Sequence, residues 1–237
     1  MKNLKNIVLA FLCLTAFNSI GQTVLDKGVI KMEITDVNSD NEQMAAQLEM
    51  MKGTSTEYYF NSEKSLTESN IMGGMMQMRF LFDNKSEDLT LLFDVMGQKM
   101  CVESSKDERK DVEAKQKEAM EGVKVVYDES DMKEILGYKC VKASLEGGES
   151  DMNFSMYVAK EIKASNDMIQ GLQGIEIEGF PLEYIMDMGQ GSLTYSATKI
   201  DKELDPSVFK VNTSGYTKMT MEEFSEQMGG MGQGMGF

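Results

Sequence analysis

The sequence predicts an α+β fold that is mainly antiparallel β, a curved half-open barrel with a few packed helices. Short segments with alternating apolar and polar residues dominate the chain, as in 28–37, where Ile30, Met32 and Ile34 share one face. About ten such strand candidates, separated by turn residues, are typical of an antiparallel sheet or an open barrel. The chain has only two prolines, so it is expected to lack a proline-rich linker. It shows no repeat of fixed period.

Nine further segments continue the β pattern after the first strand candidate. Each is short enough to form a single strand, and turn-forming residues stand between most of them. In chain order they are 56–60, 79–82, 89–96, 100–103, 123–127, 138–145, 152–158, 182–188 and 193–200.

Two segments in the first half of the chain have helical patterns. In 41–52, Met44, Leu48 and Met51 recur at helical spacing, which predicts an amphipathic helix lying on the sheet. Segment 105–122 is highly charged, and its oppositely charged residues four positions apart favour a largely solvated helix.

The C-terminal end predicts one more helix and a tail. Thr220 and Glu223 have the spacing of a capping box, which predicts a helix over 220–228. Residues 229–237 (GGMGQGMGF) are rich in glycine and methionine and predict a disordered tail. The globular part is therefore expected to be a single β-rich domain over residues 22–228.

Residues 1–21 have the pattern of an export signal. Lys2 and Lys5 form a basic start, an apolar run follows over 7–17, and small residues lead up to a cleavage point after Gly21. The apolar run is shorter than the ~20 residues that a membrane-spanning helix needs. We therefore expect a signal peptide that is removed, and an exported protein, periplasmic or secreted, with no transmembrane anchor.

The charge balance argues against two classes of partner. The chain carries 24 basic and 39 acidic residues, a net charge of −15. Removing residues 1–21, which hold two lysines and no acid, leaves 22 basic against 39 acidic residues, a net charge of −17. Such a surface repels phosphate groups, so nucleic acids and anionic lipid surfaces are not expected partners.

Two cysteines remain once the signal segment is set aside, Cys101 and Cys140. In an exported protein, two cysteines favour one disulfide, which here would stabilise the fold by roughly 3–4 kcal/mol in the chain-entropy model. The alternative is a pair of buried free thiols that pack as small apolar side chains.

The residue types present exclude several kinds of catalytic site. The chain has no histidine, which removes His-dependent triads, imidazole bases and imidazole metal ligands. It has neither a GxSxG elbow nor a GxxxxGKS/T phosphate loop. Carboxylates are plentiful, but no pair stands out. The sequence therefore predicts a non-enzymatic protein with no cofactor.

Methionine is the unusual residue, with 23 copies in the chain against no tryptophan. One cluster comprises Met72, Met75, Met76 and Met78, and the tail carries another. Thioethers are soft ligands that suit Cu(I), so these clusters are an alternative metal site. Periodic methionines on strands are equally typical of a core, or of an adaptable apolar face that binds ligands.

Three short segments carry a family resemblance. Segment 135–143 (ILGYKCVKA) resembles a segment of uncharacterised exported domain-of-unknown-function proteins of Gram-negative envelopes, which include the GLPGLI-type group. Segment 179–182 (GFPL) is similar to the GLPG landmark of that group, with two substitutions. Segment 205–209 (DPSVF), followed by Gly215 and Tyr216, is similar to the C-terminal end of such domains.

Some folds related to this group are similar to the outer-membrane lipoprotein carrier. The resemblance implies a curved, half-open antiparallel barrel with helices at its mouth, and it implies no catalytic residues. Within the landmarks, Gly137 is expected to allow a turn or bulge, and Pro181 is expected to begin a strand where no N–H is needed.

The favoured hypothesis is a binding domain that holds a lipid or another apolar ligand in a methionine-lined concave sheet. Two strand faces predict the lining. Its residues are Met152, Phe154, Met156, Val158, Leu182, Tyr184, Met186 and Met188. The alternatives are soft-metal binding by the methionine clusters, and an interaction or structural module whose partner is another envelope protein.

Overall fold

The computed structural model describes residues 24–147, 154–169, 171–187, 189–224 and 226. Twelve strands form a single sheet in this part of the chain. The strands are β1 (Gly28–Asn38), β2 (Ser55–Phe60), β3 (Lys64–Ile71), β4 (Met76–Asp83), β5 (Leu89–Val95), β6 (Gln98–Ser104), β7 (Lys124–Ile135), β8 (Tyr138–Glu146), β9 (Phe154–Ala159), β10 (Phe180–Asp187), β11 (Ser192–Asp201) and β12 (Thr217–Met219).

The sheet is an open antiparallel meander, as the sequence predicts. The strand order is β12-β6-β5-β4-β3-β2-β1-β11-β10-β9-β8-β7, so nearly all sequential strands are neighbours. The two exceptions are the steps from β6 to β7 and from β11 to β12, whose strands are not neighbours. Strand β11 returns to pair with β1, and the short β12 pairs in parallel with β6. The barrel therefore stays open along one seam.

Two α-helices accompany the sheet, α1 (Glu42–Glu49) and α2 (Lys106–Ala119). Helix α1 begins at Asn41, whose side chain accepts hydrogen bonds from two backbone N–H groups of the first turn. Its buried Leu48 packs on the sheet, with Met44 and Met51 beside it, which confirms the predicted apolar face. Helix α2 makes the long step from β6 to β7 and is mostly solvated, also as predicted.

Shorter helical turns complete the described chain. They are the 3-10 helices Met72–Gly74, Asn166–Met168 and Pro206–Phe209, and an α-helical turn over 221–224. Thr220 and Glu223 form the predicted capping box, because each side chain accepts a hydrogen bond from the other residue's backbone N–H, at 3.1 and 2.8 Å. Within the described residues, no helix is both long and apolar enough to cross a membrane.

The two faces of the sheet differ in polarity. On β1, Ile30 and Met32 are fully buried, whereas Lys31 and Glu33 on the opposite face are partly exposed and form an ion pair. We call the face that carries Ile30 and Met32 the inner face. Neighbouring strands keep this register, since Tyr58 of β2 lies opposite Ile30 and is also buried. The main core therefore lies against the inner face.

The connection between β9 and β10 fills part of the inner face. We call its residues 160–169 and 171–179 the plug segment. Ile162, Ile169 and Leu172 are fully buried there and belong to the same apolar cluster as the inner-face residues of β1 and β10. Each such side chain contributes roughly 1.5–3 kcal/mol by leaving water. The plug segment is thus a structural part of the core.

The landmark residues have geometric roles. Leu136 and Gly137 both have positive φ, 50° and 84°, between the paired residues Ile135 and Tyr138. This is the two-residue hairpin turn that favours glycine, so the expected turn at Gly137 is confirmed. Pro181 lies at the beginning of β10, beside a register shift in the β9–β10 ladder, where a missing N–H is tolerated.

Cys101 and Cys140 are free thiols, so the predicted disulfide is wrong. Cys101 lies on β6 and Cys140 on β8, and eight strands separate these two in the sheet order. A disulfide needs Cα atoms within about 7 Å of each other. Both thiols are fully buried, and burial raises the pKa of both, that of Cys140 to about 12. They act as small apolar side chains.

We expect the buried thiols to be unreactive in the folded protein. A thiol reagent added to protein without residues 1–21 should label neither cysteine at neutral pH, because burial keeps both groups protonated and covered. The same reagent after unfolding without reductant should label two thiols per chain. An absence of labelling after unfolding would instead establish a disulfide.

Candidate functional site

The two strand faces predicted to line a ligand site lie next to each other. Tyr184 of β10 is opposite Met156 of β9, and Met186 is opposite Phe154. The Phe154 and Tyr184 rings stack at 5.5 Å, and Tyr184 stacks at 4.9 Å on Tyr195 of β11. The structure thus places these predicted side chains side by side on paired strands. Met152 and Met188 lie outside the described residues.

These side chains are mostly packed. Met156, Val158, Leu182 and Tyr184 are at most 5% exposed, and the plug segment packs against the same cluster. Phe154 and Met186 are half-buried at its border. Burial raises the pKa of the Tyr184 hydroxyl well above its ordinary value, so it stays protonated. This part of the inner face is therefore covered in the structure.

Two surface grooves lie away from the predicted lining residues. One, of about 440 Å³, runs beside Lys160, Ile162 and Ile177 at the base of the plug segment. Another, of about 190 Å³, lies on the polar face between Lys31, Tyr59 and neighbouring charged residues. Neither is bordered by the predicted lining residues, so these two grooves do not contribute to the predicted site.

The inner face of β4 carries an exposed aromatic side chain, Phe80. Phe80 lies opposite Thr67 of β3 and Leu91 of β5, so it shares the inner face with them. Met78 and Phe82, two residues away on the same strand, flank it and are half-buried. Phe80 is 37% exposed although its neighbour Leu91 is 4% exposed. We call the strip formed by Met78, Phe80 and Phe82 the inner-face trough.

Structural elements enclose the inner-face trough on three sides. On the side of β3, the Thr67 hydroxyl donates a 3.3 Å hydrogen bond to the backbone oxygen of Met168 in the plug segment. On the side of β5, the Phe224 ring packs edge-on against Phe93, with ring centres 5.5 Å apart. The floor is three strands wide, about 10 Å. That width suits a single apolar chain.

Helix α2 closes one end of the inner-face trough. The Arg109 guanidinium lies 5.6 Å from the centre of the Phe82 ring. Arg109 is buried, and it donates hydrogen bonds to the backbone oxygens of Ser104, at 2.7 Å, and of Glu87. These bonds fix the first turn of α2 to the ends of β5 and β6. The trough is therefore bounded by a rigid element here.

Small hydroxyl side chains line the trough where it meets β3. Ser65, Thr67 and Ser69 are all buried on the inner face of this strand. The Ser69 hydroxyl shares a 3.0 Å hydrogen bond with that of Thr56 on β2. Serine and threonine are small and polar, so the border of the trough on β3 carries hydroxyl groups and no bulky apolar side chain.

The methionines of the alternative metal site divide into two groups. Met76 and Met78 are inner-face residues of β4 that pack on the cluster around Phe93 and Met100. Met72 and Met75 lie in the turn that precedes β4, and Met75 is 53% exposed. In the part of the chain that the structure describes, no group of three or more His, Cys, Asp and Glu side chains is placed to hold a metal.

Sequence reasoning did not identify the inner-face trough. Phe80 and Phe82 alternate with Arg79 and Leu81, so apolar side chains occur on both faces of β4 and the pattern does not show which face is covered. Only the pairing with β3 and β5 assigns Phe80 to the inner face. Its exposure depends on the tertiary packing over the inner face, which the local pattern does not contain.

No family model and no curated protein matches this chain. Among solved structures, the chain is similar to PNGF-II, with 15% identity, a TM-score of 0.45 and coverage of 85% of this chain and 32% of that one. It is also similar to LprF from Mycobacterium bovis, with 10% identity, a TM-score of 0.31 and coverage of 77% and 89%. The chain thus spans only a third of the PNGF-II chain.

A further similar structure is a beta-barrel-like protein of domain of unknown function DUF1849 from Brucella abortus. The identity is 10%, the TM-score is 0.30, and the match covers 76% of this chain and 98% of that one. At these TM-scores the likenesses assign no ligand and no activity to this chain.

Proposed function

We propose that this protein is an exported, non-enzymatic binding domain that holds an apolar ligand, such as the acyl chain of a lipid, on its inner face. The observation that carries the proposal is the exposed Phe80 on the floor of the inner-face trough. With the half-buried Met78 and Phe82 it forms a continuous apolar strip on the inner face, and apolar strips of this kind are typical of ligand grooves. The export pattern of residues 1–21 supports an envelope location.

In this proposal the ligand lies along β4, between the plug segment and Phe224. The half-buried Met78 and Phe82 supply adaptable and aromatic contacts. The predicted lining on β9 and β10 lies in the core cluster with the plug segment, so β4 carries the part of the inner face that a ligand can reach. The apolar end of such a ligand carries no charge, so the acidic surface of the protein does not repel it.

The first test is whether lipid stays bound to the protein. Native mass spectrometry of protein purified from its own cell envelope should show added mass that organic solvent removes. Fatty acids should displace a hydrophobic dye from the delipidated protein. If no lipid co-purifies and no dye is displaced, the proposal is wrong. A defined protein partner found by cross-linking in cells would then favour the interaction module.

Replacing Phe80 with serine should weaken fatty-acid binding by about tenfold. The reason is that burying the exposed part of a phenylalanine is worth roughly 1–2 kcal/mol. Val126 on the edge strand β7 is 42% exposed and lies far from the trough, so V126S is the matched control. Titration of both variants with the displacement assay checks this. Equal affinities for F80S and V126S would place the ligand elsewhere.

A further inference from the structure

Three methionines lie at the tips of two neighbouring hairpin turns. Met72 and Met75 belong to the four-residue connection between the paired residues Ile71 and Met76. Met96 lies in the β5–β6 hairpin turn. It directly follows Val95, which pairs with Met76 of β4. The Met96 backbone N–H donates a 3.1 Å hydrogen bond to the Met75 oxygen. The two turns are therefore fixed side by side.

Packing does not explain why methionine occupies these positions. Met96 is 78% exposed and Met75 is 53% exposed, so much of their apolar area faces water. Met72 and Met96 also have positive φ angles, 51° and 52°. Glycine or asparagine adopts this backbone conformation with less strain than methionine does. Residues held in such conformations cluster at functional sites.

The chemistry shared by these residues is the thioether. Methionine side chains are long and have three rotatable bonds, so sulfur atoms from adjacent turns are able to converge. Thioethers are neutral, soft ligands and select Cu(I) over harder cations. The nearby Asp94 carboxylate accepts a 3.0 Å hydrogen bond from Gly97 N–H and lies 3.8 Å from the Lys99 ammonium. It is already partnered and does not compete as a ligand.

We propose that the thioethers of Met72, Met75 and Met96 form a binding site for Cu(I). This set differs from the cluster that the sequence indicates, because Met76 and Met78 point into the core and Met96 comes from another hairpin. The net negative charge of the chain favours approach of a cation. The site is separate from the inner-face trough and does not depend on the proposed ligand.

The test is a competition titration of Cu(I) against a chromophoric chelator, without oxygen and with reductant. The unmodified protein should take up one Cu(I) per chain at this site. M75L and M96L keep the apolar volume but remove the sulfur. Each should lower Cu(I) affinity at least about tenfold, because losing even a residue that only supports a metal ligand has an effect of this size. Met132 on β7 is 57% exposed, so M132L is the matched control and should bind as the unmodified protein does.

A second variant separates ligand loss from misfolding. In M96N, the side chain tolerates positive φ, so the thermal midpoint should stay or rise while Cu(I) affinity falls. Absence of Cu(I) uptake by the unmodified protein would overturn the proposal. So would unchanged affinity in M75L and M96L. Loss of binding only when residues 229–237 are deleted would assign the metal to the tail instead, and would also overturn it.

Discussion

Replacing Leu172 with alanine is expected to lower the free energy of unfolding by about 2–5 kcal/mol. Leu172 is fully buried and joins the plug segment to the main core. The substitution removes apolar area and leaves a cavity that this connection, held at both ends by β9 and β10, only partly fills. The chain has no tryptophan, so chemical denaturation followed by far-ultraviolet circular dichroism measures the change.

The same substitution should expose the face that the plug segment covers. L172A is expected to bind more hydrophobic dye than the unmodified protein, because the plug segment competes less well for the β9–β10 face. The exposed Val126 provides the control, and V126A should change stability by less than about 0.5 kcal/mol. If L172A is as stable as V126A, the plug segment does not contribute to the core as described.

Replacing Gly179 with alanine should destabilise the protein by several kcal/mol. Gly179 has a φ of 120°, and a Cβ atom added there lies 2.3 Å from the Ala159 oxygen and 2.6 Å from the Lys160 Cα. Both are backbone atoms, so two chain segments have to separate. This close approach occurs where the plug segment leaves the sheet and returns to it.

Gly174 provides the matched control for this prediction. It also has a positive φ, 77°, but an added Cβ meets nothing within 4 Å. G174A therefore reports the conformational cost alone, roughly 1–2 kcal/mol. Thermal unfolding of both variants separates the two contributions. Equal midpoints for G179A and G174A would show that the chain relieves the close approach at no cost.

Strands with one apolar face were predictable from the sequence, and strand β3 was not. The inner face of β3 carries Ser65, Thr67 and Ser69 and only one apolar residue, Ile71 at its end, so no apolar alternation marks it. Tertiary packing of its hydroxyls, not hydrophobic periodicity, places it in the sheet. The second half of β7 was missed for a related reason, since this edge strand is solvated and carries acidic residues.

The plug segment was also beyond sequence reasoning. Its buried residues Ile162, Ile169 and Leu172 stand seven and three positions apart, which is helical spacing, yet the described residues form only the short 3-10 helix Asn166–Met168 there. The contacts that hold them come from strands far away in the chain, which a local pattern does not contain. The candidate site could be predicted as an apolar face on β9 and β10, but which part of the inner face stays open depends on this segment.

The pairing of β1 with β11 has a consequence for how the nascent chain is handled. Thr35 and Ser196 bond across these strands although 161 positions separate them. Strand β1 is synthesised long before β11, its second hydrogen-bonded neighbour. Strand pairs this far apart in sequence form slowly, and until they form, the unpaired edge of β1 is able to pair with other chains. The edge of β1 that pairs with β11 is therefore open to mispairing until β11 has been made.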